Sequence, residues 1–185
     1  TLRPGSVIIE PSSGNTGIAL AMICRMRGYR LKIVLPESVS IERRQMLEVY
    51  GAEIILSPGA EGSNGAVRRA QALADEHPEW VFLYQYGNEA NPRAHYETTG
   101  PEIWNDTAGR VTHFVSAMGT TGTVTGVSRY LKERNPGVVV VGAQPSEGSS
   151  IPGIRKWPPE YQPKIYRHAL VDRVEQVTQA DAEAM

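Results

Sequence analysis

The stretch Val7-Ile8-Ile9-Glu10-Pro11-Ser12-Ser13-Gly14-Asn15-Thr16-Gly17 holds a complete structural transition. Three β-branched apolar residues read as a buried strand. A short loop of hydroxyls, a glycine and an amide follows, and from about residue 15 to 27 the apolar spacing is helical. Polar side chains therefore cluster where a helix has unsatisfied N–H groups and a positive partial charge. That chemistry suits an anion, particularly a carboxylate. The alternative is plain helix capping by Ser13 or Asn15.

Working outward, the same alternation recurs. Candidate strands are Leu31 to Leu35, Glu53 to Leu56, Val81 to Tyr84, Val111 to Ala117 and Val138 to Ala143. Segments of helical length lie between them, at about 40–50, 63–76, 92–107 and 121–134. Repeated strand–helix alternation predicts parallel sheet with helical crossovers, an α/β fold. Gly28 and Gly51 stand where helices end, and Ser40 is a candidate N-cap. The 15–27 helix is apolar almost all round, which predicts burial on more than one side. From Gln144 to Pro163 the pattern gives way to a Pro/Gly-rich loop region that also holds Trp157 and Tyr161. A loop of that length is usually functional or disordered, and the aromatics argue against plain disorder.

A second strand–loop–helix carries Ser116-Ala117-Met118-Gly119-Thr120-Thr121-Gly122-Thr123-Val124-Thr125-Gly126. Glycines let the backbone approach a ligand closely, and three threonine hydroxyls add donors. With the N–H groups of the following helix they could form a phosphate cradle. The alternative is a Gly/Thr-rich turn. No Gly-Lys-Ser/Thr follows, so this is not a Walker A loop, and the full Gly-x-Gly-x-x-Gly spacing is absent.

Composition narrows the classes. The 185 residues carry a formal net charge of −1, which argues against nucleic acid or an anionic membrane as the main partner. No apolar run approaches the ~20 residues of a spanning helix. A single cysteine, Cys24, cannot close an internal disulfide, which suits a reducing cytoplasm. Cys24 reads as a buried structural thiol and His95 as packing or surface. Arg43-Arg44 and Arg68-Arg69 read as solvated helix faces. The four histidines show no metal spacing, so no metal is expected.

Taken together, the two loops resemble those of the cysteine synthase family of fold-type II pyridoxal 5′-phosphate (PLP) enzymes, the tryptophan synthase β-like fold. Ser13-Gly14-Asn15-Thr16 and Gly119-Thr120-Thr121-Gly122-Thr123 match that family's two signatures in order and spacing. Gln85-Tyr86, Asn88, Asn91-Pro92 and Thr98-Thr99-Gly100-Pro101-Glu102-Ile103-Trp104 match as well. Thr121, where many relatives have glycine, and Glu147-Gly148-Ser149-Ser150-Ile151-Pro152-Gly153-Ile154-Arg155-Lys156-Trp157-Pro158 point to the cysteine synthase B branch.

The resemblance implies a parallel-rich three-layer α/β fold, with residues 7–85 mostly in a smaller mobile domain and 86–185 in part of a larger PLP-phosphate-binding domain. It implies that Ser12, Ser13, Asn15, Thr16 and Gln85 hold a substrate carboxylate, with Asn15 also near the cofactor's phenolic oxygen. Gly119, Thr120, Thr121, Gly122 and Thr123 would form the phosphate cup. Arg155 would meet an anionic substrate at the site's mouth, or else is a solvated loop arginine. Lys156 departs from the branch's Arg-Arg pair. Trp157 would wall the site or pack the loop. The implied reaction is PLP-dependent β-replacement, making L-cysteine or S-sulfocysteine from O-acetylserine or O-phosphoserine and a sulfur donor. The implied assembly is a cytoplasmic homodimer.

One expected element is missing. The family's Schiff-base lysine lies in an Asn-Pro-x-x-Ser-x-Lys motif upstream of the first loop, and only nine residues precede Glu10. None of Lys32, Lys132, Lys156 or Lys164 sits in such a motif. The chain therefore reads as an internal fragment, lacking segments on both sides, and by itself is expected to be inactive. Other readings are a serine/threonine dehydratase, a cystathionine β-synthase, a non-catalytic binding or regulatory fragment, or a nucleotide-binding α/β domain.

Overall fold

The computed structural model describes residues 2–149, 151 and 153–184. They form two compact units, divided between Tyr84 and Gln85.

The first unit is one parallel sheet with helices on both faces. Its strands are β1 (Val7–Pro11), β2 (Arg30–Pro36), β3 (Glu53–Ser57) and the short β4 (Val81–Phe82), in the order β3-β2-β1-β4. Alternating side chains divide between two cores. Ile8, Leu31, Ile33 and Leu35 pack with Ala21 and Cys24 of α1 (Asn15–Arg27) and with Leu47 of α2 (Ile41–Val49). Ile9 and Val34 face Ala66, Ala70 and Leu73 of α3 (Gly62–Glu76). A three-layer arrangement follows directly from that alternation. Lys32, buried on the α3 face, is paired with Glu53 and lies 4.9 Å from the Trp80 ring, which stacks on His77.

The second unit has the parallel sheet β5 (His113–Ala117), β6 (Val139–Pro145) and β7 (Arg173–Val177), in that order. Its helices are α4 (Ala90–Glu97), α5 (Thr99–Asp106), α6 (Gly122–Arg134) and the short α7 (Gln179–Ala184). Val127, Tyr130, Leu131 and Val138 form its core, against Tyr96, Ile103, Trp104 and Phe114.

Several expectations change. The helix expected over 92–107 is two helices, broken at Thr98. Pro101 explains this: it lacks an N–H and would clash with the carbonyl of Glu97 in a continuous helix, so the chain restarts with Pro101 in a first turn. The strand expected over Val81 to Tyr84 stops at Phe82, and Tyr84 turns away with φ 51°. The strand expected from Val111 begins at His113. β7 was not expected: Arg173-Val174-Glu175-Gln176-Val177 has no apolar alternation and joins the sheet edge through its backbone. Burial of α1 on more than one side is not seen either. Its buried residues are Gly17, Ala21 and Cys24, while Met22, Ile23 and Met26 are exposed, Met26 by 81%. Gly28 does end α1 in the left-handed region, with φ 70°. No helix among the described residues is long and apolar enough to cross a membrane.

Candidate functional site

The loop after β1 is built around one serine. Gly14 is the residue preceding helical geometry, and the Ser12 hydroxyl accepts from Gly17 N–H (3.0 Å) and more weakly from Gly14 N–H (3.4 Å). Capping therefore falls to Ser12, not to Ser13 or Asn15. Gly17 allows this closeness: a Cβ there would lie 3.2 Å from the Ser12 hydroxyl. The Ser13 and Asn15 side chains make no hydrogen bond among the described residues, and Asn15 is exposed. Arg43 does not simply face solvent, because its guanidinium donates to Ser13 O at 3.0 Å from α2. Glu10, fully buried before this loop, accepts the Tyr84 N–H at 2.7 Å. Burial and the neighbouring Glu10 carboxylate raise the pKa of the Tyr84 hydroxyl.

The loop after β5 is a different construction. Thr121 precedes α6 in the left-handed region, with φ 69°, and is buried. Its hydroxyl has no partner among the described residues. The N–H groups of Gly119, Thr120, Thr121 and Thr123 likewise meet no acceptor among the described residues. Several N–H donors gathered at a helix start suit an anion.

This loop is braced from two sides. Asn91 of α4 donates through Nδ2 to Gln85 O (2.9 Å) and to Thr120 Oγ1 (3.2 Å), linking Gln85 to the loop. One turn on, His95 Nε2 lies 3.2 Å from Thr123 Oγ1 and Nδ1 lies 3.0 Å from Thr99 Oγ1. Burial lowers the His95 pKa. Two glycines of α6 admit α4 this closely. A Cβ at Gly122 would overlap Asn91, and one at Gly126 would overlap Pro92 O and come within 2.8 Å of His95 Cβ. His95 is thus attached to the first turn of α6, a role the sequence did not reveal; the spacing of Asn91 and His95, one turn apart opposite Thr120 and Thr123, was the available signal.

The second brace is the 153–157 segment. Arg155 N–H donates to Met118 O (2.9 Å), and Trp157 Nε1 donates to Gly119 O (2.7 Å). The Arg155 guanidinium lies over the Trp157 ring (5.0 Å) and the Tyr86 ring (5.7 Å), which meet edge to face. Arg155 is half-buried and held on aromatics rather than free in solvent. Ser150 and Pro152 of this motif lie outside the described residues.

Other candidates are engaged elsewhere. Lys132 Nζ is held by Asp172 and Val138 O, and Lys156 Nζ by Glu147. Burial raises the Cys24 thiol pKa, so it is a poor nucleophile. Ser12, Ser13, Asn15 and Thr16 come together in the first unit. Gln85, Gly119, Thr120, Thr121, Gly122, Thr123 and Arg155 come together in the second.

Residues 2–185 match the family model described as pyridoxal-phosphate dependent enzyme. The chain is 56% identical over 182 residues to cysteine synthase B of Salmonella typhimurium, covering 98% of this chain and 60% of that protein. Identity to cysteine synthase B of Pseudomonas aeruginosa is 54%, with the same coverage. Among solved structures, O-ureido-L-serine synthase superposes with a TM-score of 0.90 at 38% identity, covering 99% of this chain and 60% of that one. Cysteine synthase from Entamoeba histolytica superposes with a TM-score of 0.89 at 38% identity, covering 98% and 56%. The chain thus spans about 60% of the length of the curated relatives it matches.

Proposed function

The chain belongs to the pyridoxal-phosphate dependent enzymes, and from that membership we propose that the whole protein is a cysteine synthase, replacing the β-substituent of an activated serine with sulfur. The observation that carries the reading is the set of unfilled N–H donors at the start of α6, those of Gly119, Thr120, Thr121 and Thr123. It fits the cofactor's phosphate, which needs many oriented donors and no buried counter-charge. Gly119, Thr120, Thr121, Gly122 and Thr123 would hold that phosphate. When bound, PLP supplies an electron sink for the charge that develops at the substrate's α-carbon.

The residues after β1 hold the substrate's carboxylate in this reading. Ser12 keeps the N-terminus of α1 in shape, and Ser13, Asn15 and Thr16 stand at its positive end, where the carboxylate would be held. Gln85, tied to Thr120 through Asn91, gives a second carboxylate contact. Arg155, steadied on Trp157 and Tyr86, meets the anionic end of the activated serine or a sulfur donor such as thiosulfate. None of Lys32, Lys132 or Lys156 is proposed to link the cofactor, because each amine is already paired. We further propose that the protein works as a cytoplasmic homodimer, and that the unit bearing Asn15 moves when an amino acid binds.

Assay of the full-length protein with PLP, O-acetylserine and sulfide or thiosulfate tests the reading. Cysteine or S-sulfocysteine is the expected product. Release of a keto acid without thiol addition would instead make it a dehydratase. Arg155→Ala should raise KM for the anionic substrate more than it lowers kcat.

A further inference from the structure

The hydroxyls facing the α6 start are set from behind, and the two are set differently. Thr120 Oγ1 accepts from Asn91 Nδ2 (3.2 Å) and from Gly122 N–H (3.3 Å). Two incoming hydrogens occupy the oxygen's two lone pairs, so its own proton is committed outward as a donor. Thr123 Oγ1 has one such neighbour, His95 Nε2, whose other ring nitrogen meets Thr99 Oγ1. Since each hydroxyl can donate or accept, these distances permit two circuits. In the first, Thr99 donates to Nδ1, Nε2–H donates to Thr123, and the Thr123 proton is free for a ligand. In the second, Nδ1–H donates to Thr99, and Thr123 uses its proton on Nε2. Thr123 then offers only lone pairs, which repel a phosphate oxygen.

We propose that His95 is a positioning residue for the cofactor's phosphate: neutral and protonated on Nε2, it keeps Thr123 a donor. The inference rests on reading the α6 start as the phosphate site. Burial favours the neutral ring, so the choice lies between tautomers. Close packing of α4 on Gly126 fixes the ring where both threonines are reached. A phosphate accepts but never donates when fully ionised, so its binding draws the ring into the first circuit. Thr99, on the next helix, thereby helps decide whether a hydroxyl it does not touch can bind the ligand.

The direct test is the 15N spectrum of histidine-labelled full-length protein, with and without PLP, which reads the tautomer and needs no variant. The loaded protein should show His95 with a protonated Nε2 and a pyridine-like Nδ1; a protonated Nδ1 in the loaded protein overturns the proposal. As a second measurement, His95→Leu should weaken PLP binding about tenfold and shift the 31P resonance of the bound phosphate, as loss of one donor to a charged group implies. His95→Gln, which can still donate an amide N–H, should recover most of both. Unchanged affinity and 31P shift in a folded His95→Leu protein would count against it. Backbone amide shifts of Gly119, Thr121 and Thr123 on adding inorganic phosphate separate the two layers. If they move while His95 is protonated on Nδ1, the positioning role fails alone. If they stay still, the phosphate reading fails and takes this role with it.

Discussion

Two helices in this chain begin just after parallel strands, with loops of hydroxyls and glycines, and the two loops are held in different ways. At α1 one hydroxyl of the loop itself, that of Ser12, takes up the Gly14 and Gly17 N–H groups, the backbone is extended at Gly14, and Asn15 is exposed. At α6 Thr120 takes up, of the loop's N–H groups, only that of Gly122, and the N–H groups of Gly119, Thr120, Thr121 and Thr123 meet no acceptor among the described residues. Thr121 holds a left-handed conformation unusual for a β-branched residue, and α4 and the 153–157 segment press the loop into place. A helix N-terminus is therefore not a binding site in itself. What distinguishes the α6 loop is that side chains from other elements, Asn91 and Trp157, hold it in place while most of its N–H groups stay open.

The largest effect should come from glycine. Gly122→Ala and Gly126→Ala each drive a methyl into α4, and should cost about 3 kcal/mol in urea unfolding and abolish detectable PLP binding. Gly14→Ala, with nothing within 4 Å of the added Cβ and an extended backbone, should cost less than about 1 kcal/mol. Equal losses at the two loops would erase the contrast. Next, Thr121→Gly should stabilise the ligand-free protein by about 1 kcal/mol, by releasing the left-handed strain and the unpartnered hydroxyl, while weakening PLP binding. A protein both less stable and equally good at binding would show that the strain is not held for the ligand. Ser12→Ala should cost about 1 kcal/mol and loosen the first turn of α1, seen as faster amide exchange at Gly17.

Acid should also separate the two loops, by a smaller amount. The folded protein holds the pKa of His95 below the ordinary 6.5. As pH falls below 6.5 the unfolded chain takes up this proton before the folded one, so stability declines until the lower folded value is passed. Urea midpoints at pH 7.5 and 5.5 should differ less in His95→Gln than in wild type, and Ser12→Ala should leave that difference unchanged.

The sheet-and-helix plan was legible because buried parallel strands write themselves as short β-branched runs, as at Val7-Ile8-Ile9 and Val138 to Ala143. The helix break at Thr98 was legible in principle through Pro101. β7 was not, since an edge strand held by its backbone imposes little pattern on Arg173-Val174-Glu175-Gln176-Val177. Both loops stood out in sequence, but their difference did not. Which serine caps α1, and that His95 and Asn91 stand behind Thr123 and Thr120, depend on a close helix contact permitted at Gly122 and Gly126. Sequence spacing shows neighbours along one helix; it is silent about what a missing side chain on a second helix lets in.

Trp157 gives the second unit its own optical probe. Its indole N–H is bound to the Gly119 carbonyl, which shares a peptide group with the unfilled Thr120 N–H. Trp80 sits in the first unit, stacked on His77 with Lys32 above it, and Trp104 belongs to the core beneath α6. Of the three indoles, then, the one joined to the cradle loop should change its emission when that loop takes up a ligand. A Trp157→Phe control would give that change an address, letting occupancy be followed by light in the protein's native sequence.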